Sequence, residues 1–282
     1  MKRWTKLIRR IIEAIFCGYV MFCILAYTFP RYFYYHPHNE TPSIEEARNS
    51  GYPAEKVEYK SADNTPLYAW MTPSKNKQKM IVFMHGNSKN IGSFYSKLIP
   101  FVKAGYGTML PEFRGFGGIE GDLREKNLAQ DAVAAIKYLH TKGYKNSDII
   151  VYGMSLGSYL ATNSVYQLQK NGDFAALILE VPFDSVLNTA RAVVNIPLPF
   201  SLVVRDYYDN VPLVKNIKIP LLIMGGEEDK TVPVKLAENL FKHANEPKKI
   251  IIYPYAGHSN LMDYHNYRDI LEWLERVLHE KA

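Results

Sequence analysis

Cysteine is almost missing from this 282-residue chain: Cys17 and Cys23 are the only two, and both fall in one apolar stretch near the N-terminus. The rest therefore holds no disulfide framework and no thiolate metal site, and it suits an oxidising or a reducing compartment equally. Beyond the N-terminal stretch, an excess of charge of one sign is missing as well. The formal net charge of +6 is concentrated at the start, where residues 1–35 carry six of the 34 basic residues (Lys2, Arg3, Lys6, Arg9, Arg10, Arg31) against the single acid Glu13. The remainder of the chain is nearly neutral and lacks the basic face that a nucleic-acid partner requires, so that class is excluded. Repeats and low-complexity tracts are missing too. With 47% apolar and 22% charged residues the chain reads as globular.

Long apolar runs are limited to one. Ile11–Phe29, IIEAIFCGYVMFCILAYTF, is nineteen residues with one charge, and as a helix it would span roughly 28 Å, close to the hydrocarbon thickness of a bilayer. A cleaved signal peptide would have a shorter apolar core and a small-x-small site; aromatic residues stand there instead. A buried core helix rarely starts behind five cations in ten residues, which here are MKRWTKLIRR. The expectation is a basic cytoplasmic tail over residues 1–10, a single-pass signal-anchor helix over 11–29 and a juxtamembrane stalk over 30–50. By the positive-inside rule the N-terminus stays cytoplasmic and the domain lies on the other side. Tyr27, Phe29, Tyr32, Phe33, Tyr34 and Tyr35 form an aromatic belt for the far interface.

Residues 51–282 alternate strand and helix. Val57–Lys60 and Leu67–Met71, with Asp63-Asn64 between them, read as an antiparallel hairpin. Continuous apolar runs come next at Met80–Met84, Gly107–Leu110, Asp148–Tyr152, Ala175–Leu179, Leu221–Met224 and Lys249–Tyr253. Helical patterns lie at Ser93–Ala104, Asn127–Lys142, Ser155–Lys170, Val234–Ala244 and Tyr267–His279. Runs without alternation are strands buried on both faces, so the fold class is α/β: a mostly parallel sheet flanked by helices, behind the N-terminal helix. An insert at about 186–215 is longer than a crossover helix needs. It reads either as a small lid or as an irregular connection.

One short stretch raises a chemical question. In IIVYGMSLGSYLA, Ser155 stands between Gly153 and Gly157 where a strand hands over to a helix. Glycine is a poor helix former, so the turn must need both: side chains two residues either side of an exposed nucleophile would collide. A serine hydroxyl also needs a base and an orienting acid. His258, in YAGHSN, comes after the last apolar run, and Asp229, in GGEEDKTVP, comes after the one before it. The order Ser155, Asp229, His258 is that of a nucleophile elbow on an open α/β sheet. For the oxyanion hole the candidates are the backbone amides of Leu156, next to the serine, and Asn87, in the HGNSKN just past MIVFM. His85 has no ligand partner at metal spacing, so no metal site is expected.

These motifs resemble the α/β-hydrolase superfamily from residue 57 to the C-terminus: His85-Gly86-Asn87, Arg114-Gly115-Phe116-Gly117, the Ser155 elbow, Pro182-Phe183, Asp229 with Val232-Pro233, and His258. More narrowly the chain is similar to small-lid, membrane-anchored serine hydrolases, a group with depalmitoylase-like members; Leu198–Leu202, Arg205-Asp206 and Asp209-Asn210 carry that likeness. Three residues depart from the group: Lys89 where a small residue is usual, Glu112 in place of an aspartate, and Ser158 in place of a glycine. The resemblance implies hydrolysis of carboxylic esters or thioesters through an acyl-enzyme on Ser155, with no cofactor. The substrate would be a small-molecule or lipid-like acyl ester, or an acylated protein. A serine peptidase of the same fold is the rival enzyme, and a catalytically silent membrane-tethered binding protein the rival of another class.

Overall fold

The computed structural model describes residues 2–29, 34–75, 79–194 and 199–279. Its frame is an eight-stranded sheet in the order β10-β9-β8-β7-β4-β6-β3-β2. The hairpin comes first: β2 (Glu55–Lys60) pairs antiparallel with β3 (Pro66–Thr72), with Val57 opposite Ala69. Asn64 turns the chain at φ 66°, and the Asp63 carboxylate accepts the Thr65 amide. β3 joins β6 (Gly107–Pro111) antiparallel, and from there the sheet is parallel through β4 (Met80–Met84), β7 (Ile149–Met154), β8 (Ala176–Glu180), β9 (Leu221–Gly226) and β10 (Lys248–Tyr253).

Strand residues alternate between the two faces of the sheet, so each strand feeds two cores. Met80, Val82 and Met84 pack in one layer with Leu128 and Ile136 of α2 (Glu125–Thr141) and Leu160 of α3 (Leu156–Leu168). Leu236 and Leu240 of α5 (Val234–His243) join them. Ile81 and Phe83 pack in the other layer with Phe101 and with Ile270, Trp273 and Leu274 of α6 (Asn266–His279). Each such side chain contributes roughly 1.5–3 kcal/mol by leaving water. The insert between β8 and β9 holds α4 (Val186–Val193) and helical turns at Phe200–Val203 and Val211–Val214.

The expected elements are found, with two local differences. The helix expected over Ser93–Ala104 is instead two 3₁₀ turns, Ile91–Ser93 and Tyr95–Leu98, followed by one α-helical turn, Ile99–Lys103. Pro100 is the reason: without an N–H it is tolerated only in a helix's first turn, so the α-helix can start no earlier. The N-terminal helix α1 runs from Lys2 to Thr28, taking in the basic tail. Among the described residues it is the one helix long and apolar enough to cross a membrane, its most apolar 18-residue window having a mean hydropathy of 1.9.

The expected stalk is corrected in its described part, residues 34–50, which lies against the domain. His36–Pro37 forms strand β1, parallel to β5 (Ser88–Lys89), and the His36 amide donates to the Asn87 carbonyl at 2.9 Å. Tyr35 and Ala47 are buried, and the Tyr35 and Tyr208 hydroxyls are hydrogen-bonded to each other. Pairing satisfies backbone groups that a free stalk would leave to water. Tyr32 and Phe33 of the aromatic belt, and residues 195–198 of the insert, lie outside the described residues.

Candidate active site

β7 ends at Met154, α3 begins at Leu156, and Ser155 is the whole connection. Its φ of 53° and ψ of −120° are unusual for a residue with a side chain, and such strain is stored where function needs it. The close packing around it accounts for the glycines. A Cβ on Gly153 would run into the Gly157 carbonyl, and one on Gly157 into the carbonyl of Met84. The Ser155 amide donates to the Glu180 carbonyl of β8 at 2.9 Å, which pins the turn to the sheet.

Asp229 and His258 sit on the loops that leave β9 and β10. Neighbouring parallel strands bring these loops side by side, and the Glu228 amide joins them by donating to the Ala256 carbonyl at 2.9 Å. The result is a chain of contacts. His258 Nε2 lies 3.0 Å from Ser155 Oγ, and His258 Nδ1 lies 2.7 Å from Asp229 Oδ2. A carboxylate only accepts, so Nδ1 donates to Asp229 and Nε2 is left to accept from the serine hydroxyl. Asp229 is held in turn: its Oδ1 accepts the amides of Thr231 and Val232, each at 2.8 Å. The histidine loop is braced by Asn260, whose Oδ1 accepts the Gly257 amide at 2.7 Å.

Asn87 and Leu156 line one apolar pocket with Ser155. Leu156 is the first residue of α3, so its amide lacks an intrahelical acceptor and adds to the positive end of the helix dipole. The Asn87 side chain donates to the Tyr34 carbonyl at 2.5 Å, tying its loop to the N-terminal segment. Glu112, just past the end of β6 and one of the departures from the group's pattern, holds that loop in place. Its carboxylate is 2.9 Å from His85 Nε2 and accepts the Ile91 amide at 3.0 Å. Both His85 ring nitrogens are taken up, by Gly86 O and by Glu112. Among the described residues no group of three or more His, Cys, Asp or Glu could hold a metal. Lys89 is exposed and lies outside the pocket lining, and Ser158 is fully buried in α3.

The pocket has a volume of about 320 Å³, at the small end of the range for ligand sites. Phe183, Leu156 and Val232 form its floor, while Val186, Ala190, Val193, Phe200, Val204 and Tyr208 come from the insert. Arg124 Nε fastens the insert by donating to Asp206 at 2.9 Å, and the Glu125 carboxylate accepts the amides of Tyr207 and Tyr208. Burial pushes the Tyr34 phenol up to about 12 and holds Tyr208 well above its usual value, so neither brings a charge to the pocket at neutral pH. Tyr34, expected in the aromatic belt, lines the pocket instead, and so do Phe22 and Ala26 of α1, which carry no motif that would single them out in the sequence.

A mostly parallel sheet that carries a serine on a strained strand–helix turn, with a histidine and an aspartate at neighbouring strand ends, defines an α/β-hydrolase. The chain is a serine hydrolase of that fold. It belongs to the prolyl oligopeptidase family, whose model matches residues 93–281. It is similar to an uncharacterized protein of Mycobacterium tuberculosis H37Rv, with 30% identity over 80% of this chain and 79% of the other. It is also similar to an uncharacterized membrane protein of Saccharomyces cerevisiae, at 27% identity over 83% and 82%. Among solved structures, the Pyrococcus furiosus esterase Pf2001 shares the fold, with a TM-score of 0.65 and 21% identity over 86% of this chain and 97% of that one.

Proposed function

We propose that the protein is a membrane-anchored serine hydrolase that cleaves carboxylic esters or thioesters. The observation that carries this reading is the chain of hydrogen bonds from Ser155 through His258 to Asp229, opening onto an apolar pocket. In the first half-reaction Ser155 Oγ attacks the acyl carbon and its proton passes to His258 Nε2. The oxyanion is bound by the amides of Asn87 and Leu156, each donor being worth about 2.7–4 kcal/mol of barrier. The carbon–oxygen or carbon–sulfur bond then breaks, and the alcohol or thiol leaves with the proton from His258. Water then attacks the acyl-enzyme and gives its proton to His258, which passes it on to Ser155 Oγ as the acyl carbon–Oγ bond breaks and the carboxylic acid is released. Asp229 keeps the imidazole in the required tautomer throughout.

α1 serves as the anchor, with the basic cluster on the cytoplasmic side and the catalytic domain, from about residue 51, on the other. The insert at about 186–215 acts as a small lid over the pocket. A membrane protein among the relatives supports the anchoring. Peptide cleavage is the second reading, favoured by the family's description; the uncharged, apolar lining supports an acyl chain better than a peptide backbone with its polar groups. The test is labelling with a fluorophosphonate probe. Wild type labels and Ser155→Ala does not. A folded wild type that stays unlabelled would bring the silent binding protein forward.

A further inference from the structure

The pocket at Ser155 is not closed by the hydrolase domain alone. Phe22 and Ala26, from the last two turns of α1, form part of its wall beside Phe200 and Val204 of the insert. α1 is exposed along most of its length, yet Ala26 is only 7% exposed. One residue on, the Arg205 guanidinium lies over the Tyr27 ring, 4.9 Å from its centre. The C-terminal end of α1 is therefore docked on the insert, while its apolar body runs free of the domain. The surface beside this junction is apolar too: Leu202 is 72% exposed and Val193 40%.

These facts bear on how a substrate arrives. A helix that crosses a bilayer puts Tyr27 at the interface, where aromatic residues settle, and so brings the pocket wall that α1 and the insert share against the acyl region. Leu202 and Val193 then rest on lipid instead of water. An acyl chain moving from lipid into this pocket exchanges one apolar surrounding for another. The same chain drawn through water would lose favourable burial at each methylene. The small volume of the pocket, about 320 Å³, suits one chain and not two.

We propose that the junction between the end of α1 and the insert is a lateral portal, through which a single long acyl chain of a membrane-resident ester or thioester slides from the bilayer to Ser155. The anchor is then a wall of the binding site as well as a tether. This inference rests on the serine-hydrolase reading above.

The experiment uses the full chain in phosphatidylcholine vesicles, with 4-nitrophenyl palmitate dispersed in the lipid and 4-nitrophenyl butyrate in the water. Titration with a fluorophosphonate counts the folded, competent enzyme in each sample. Ala26→Trp narrows the portal, and Phe22→Gln places an amide in it on an exposed stretch of helix. Each variant lowers the palmitate-to-butyrate ratio of kcat/KM by at least about tenfold, as expected when several methylenes lose their pocket. Leu25→Trp, which puts the same indole on a neighbouring side chain outside the lining of this pocket, leaves the ratio unchanged. If both portal variants label fully and keep the wild-type ratio, the portal is overturned and the hydrolase reading stands. If the wild type neither labels nor hydrolyses butyrate, the hydrolase reading fails and takes the portal with it.

Discussion

Ser155 and His258 are within hydrogen-bond reach because two loops of different origin meet, and Asp229 decides what that meeting can do. Its two oxygens have separate tasks. Oδ1 is held by the amides of Thr231 and Val232, which fixes the carboxylate, and Oδ2 faces His258 Nδ1. Asp229→Asn keeps the shape, but its amide would favour the tautomer with a proton on Nε2, which cannot accept from Ser155. The expected result is a fall in turnover of about 10⁴ with the fold retained. Steady-state ester hydrolysis beside a circular dichroism melt measures both. Turnover near the wild-type level would move the acid's role to another carboxylate, with Glu228 the first to test.

Among the elements, the loop after β6 shows how the site's frame is tied together. Arg114 donates to Asp131 of α2 at 2.6 Å and to Asp63 of the β2–β3 turn at 2.6 Å, so one guanidinium joins a helix, a hairpin and a loop. Asp131 is fully buried, whereas Asp63 is half-exposed. Hydrogen bonds from Arg114 hold the Asp63 carboxyl well below the usual carboxylate range. A carboxylate whose folded pKa lies below its unfolded value stabilises the fold above the unfolded pKa, near about 3.9, and this is lost as pH falls towards the folded value. The urea midpoint should therefore drop on acidification below about pH 4, and Asp63→Asn should make that limb shallower. An unchanged acid limb in the variant would show that Asp63 contributes nothing through this pair.

At the level of the whole molecule, the proposed anchoring makes the joint between α1 and the domain the feature that would set how the enzyme sits on a membrane. The helix is 27 residues long, or about 40 Å, enough to cross with some tilt. Its end carries Tyr27, docked against Arg205. The protein should stay in the membrane pellet through an alkaline carbonate wash, and protease added outside intact cells should reach the domain. Release by carbonate would rule out the anchor. Digestion only after lysis would reverse the orientation while leaving the anchor in place.

The strands, and the meeting of Ser155, His258 and Asp229, could be read directly from the chain. β4, β7, β8 and β9 are continuous apolar runs because both of their faces are covered, and that demand leaves a local pattern. Ser155 was legible for a similar reason, since a strained turn needs its glycines at fixed offsets. The Ser93–Ala104 segment misled because its apolar spacing outweighed Pro100. Other features depend on residues far apart in the chain, and such contacts impose no period on either partner. Tyr35 against Tyr208, β1 against β5, Glu112 under His85 and Ala26 beside Val204 are of this kind. Local pattern is thus enough to say which strands form the core and which serine, histidine and aspartate can meet. It takes the folded chain to lay residues 34–50 on the domain and to make the end of α1 a wall of the pocket, because both arise from apolar and backbone groups finding cover wherever the assembled fold offers it.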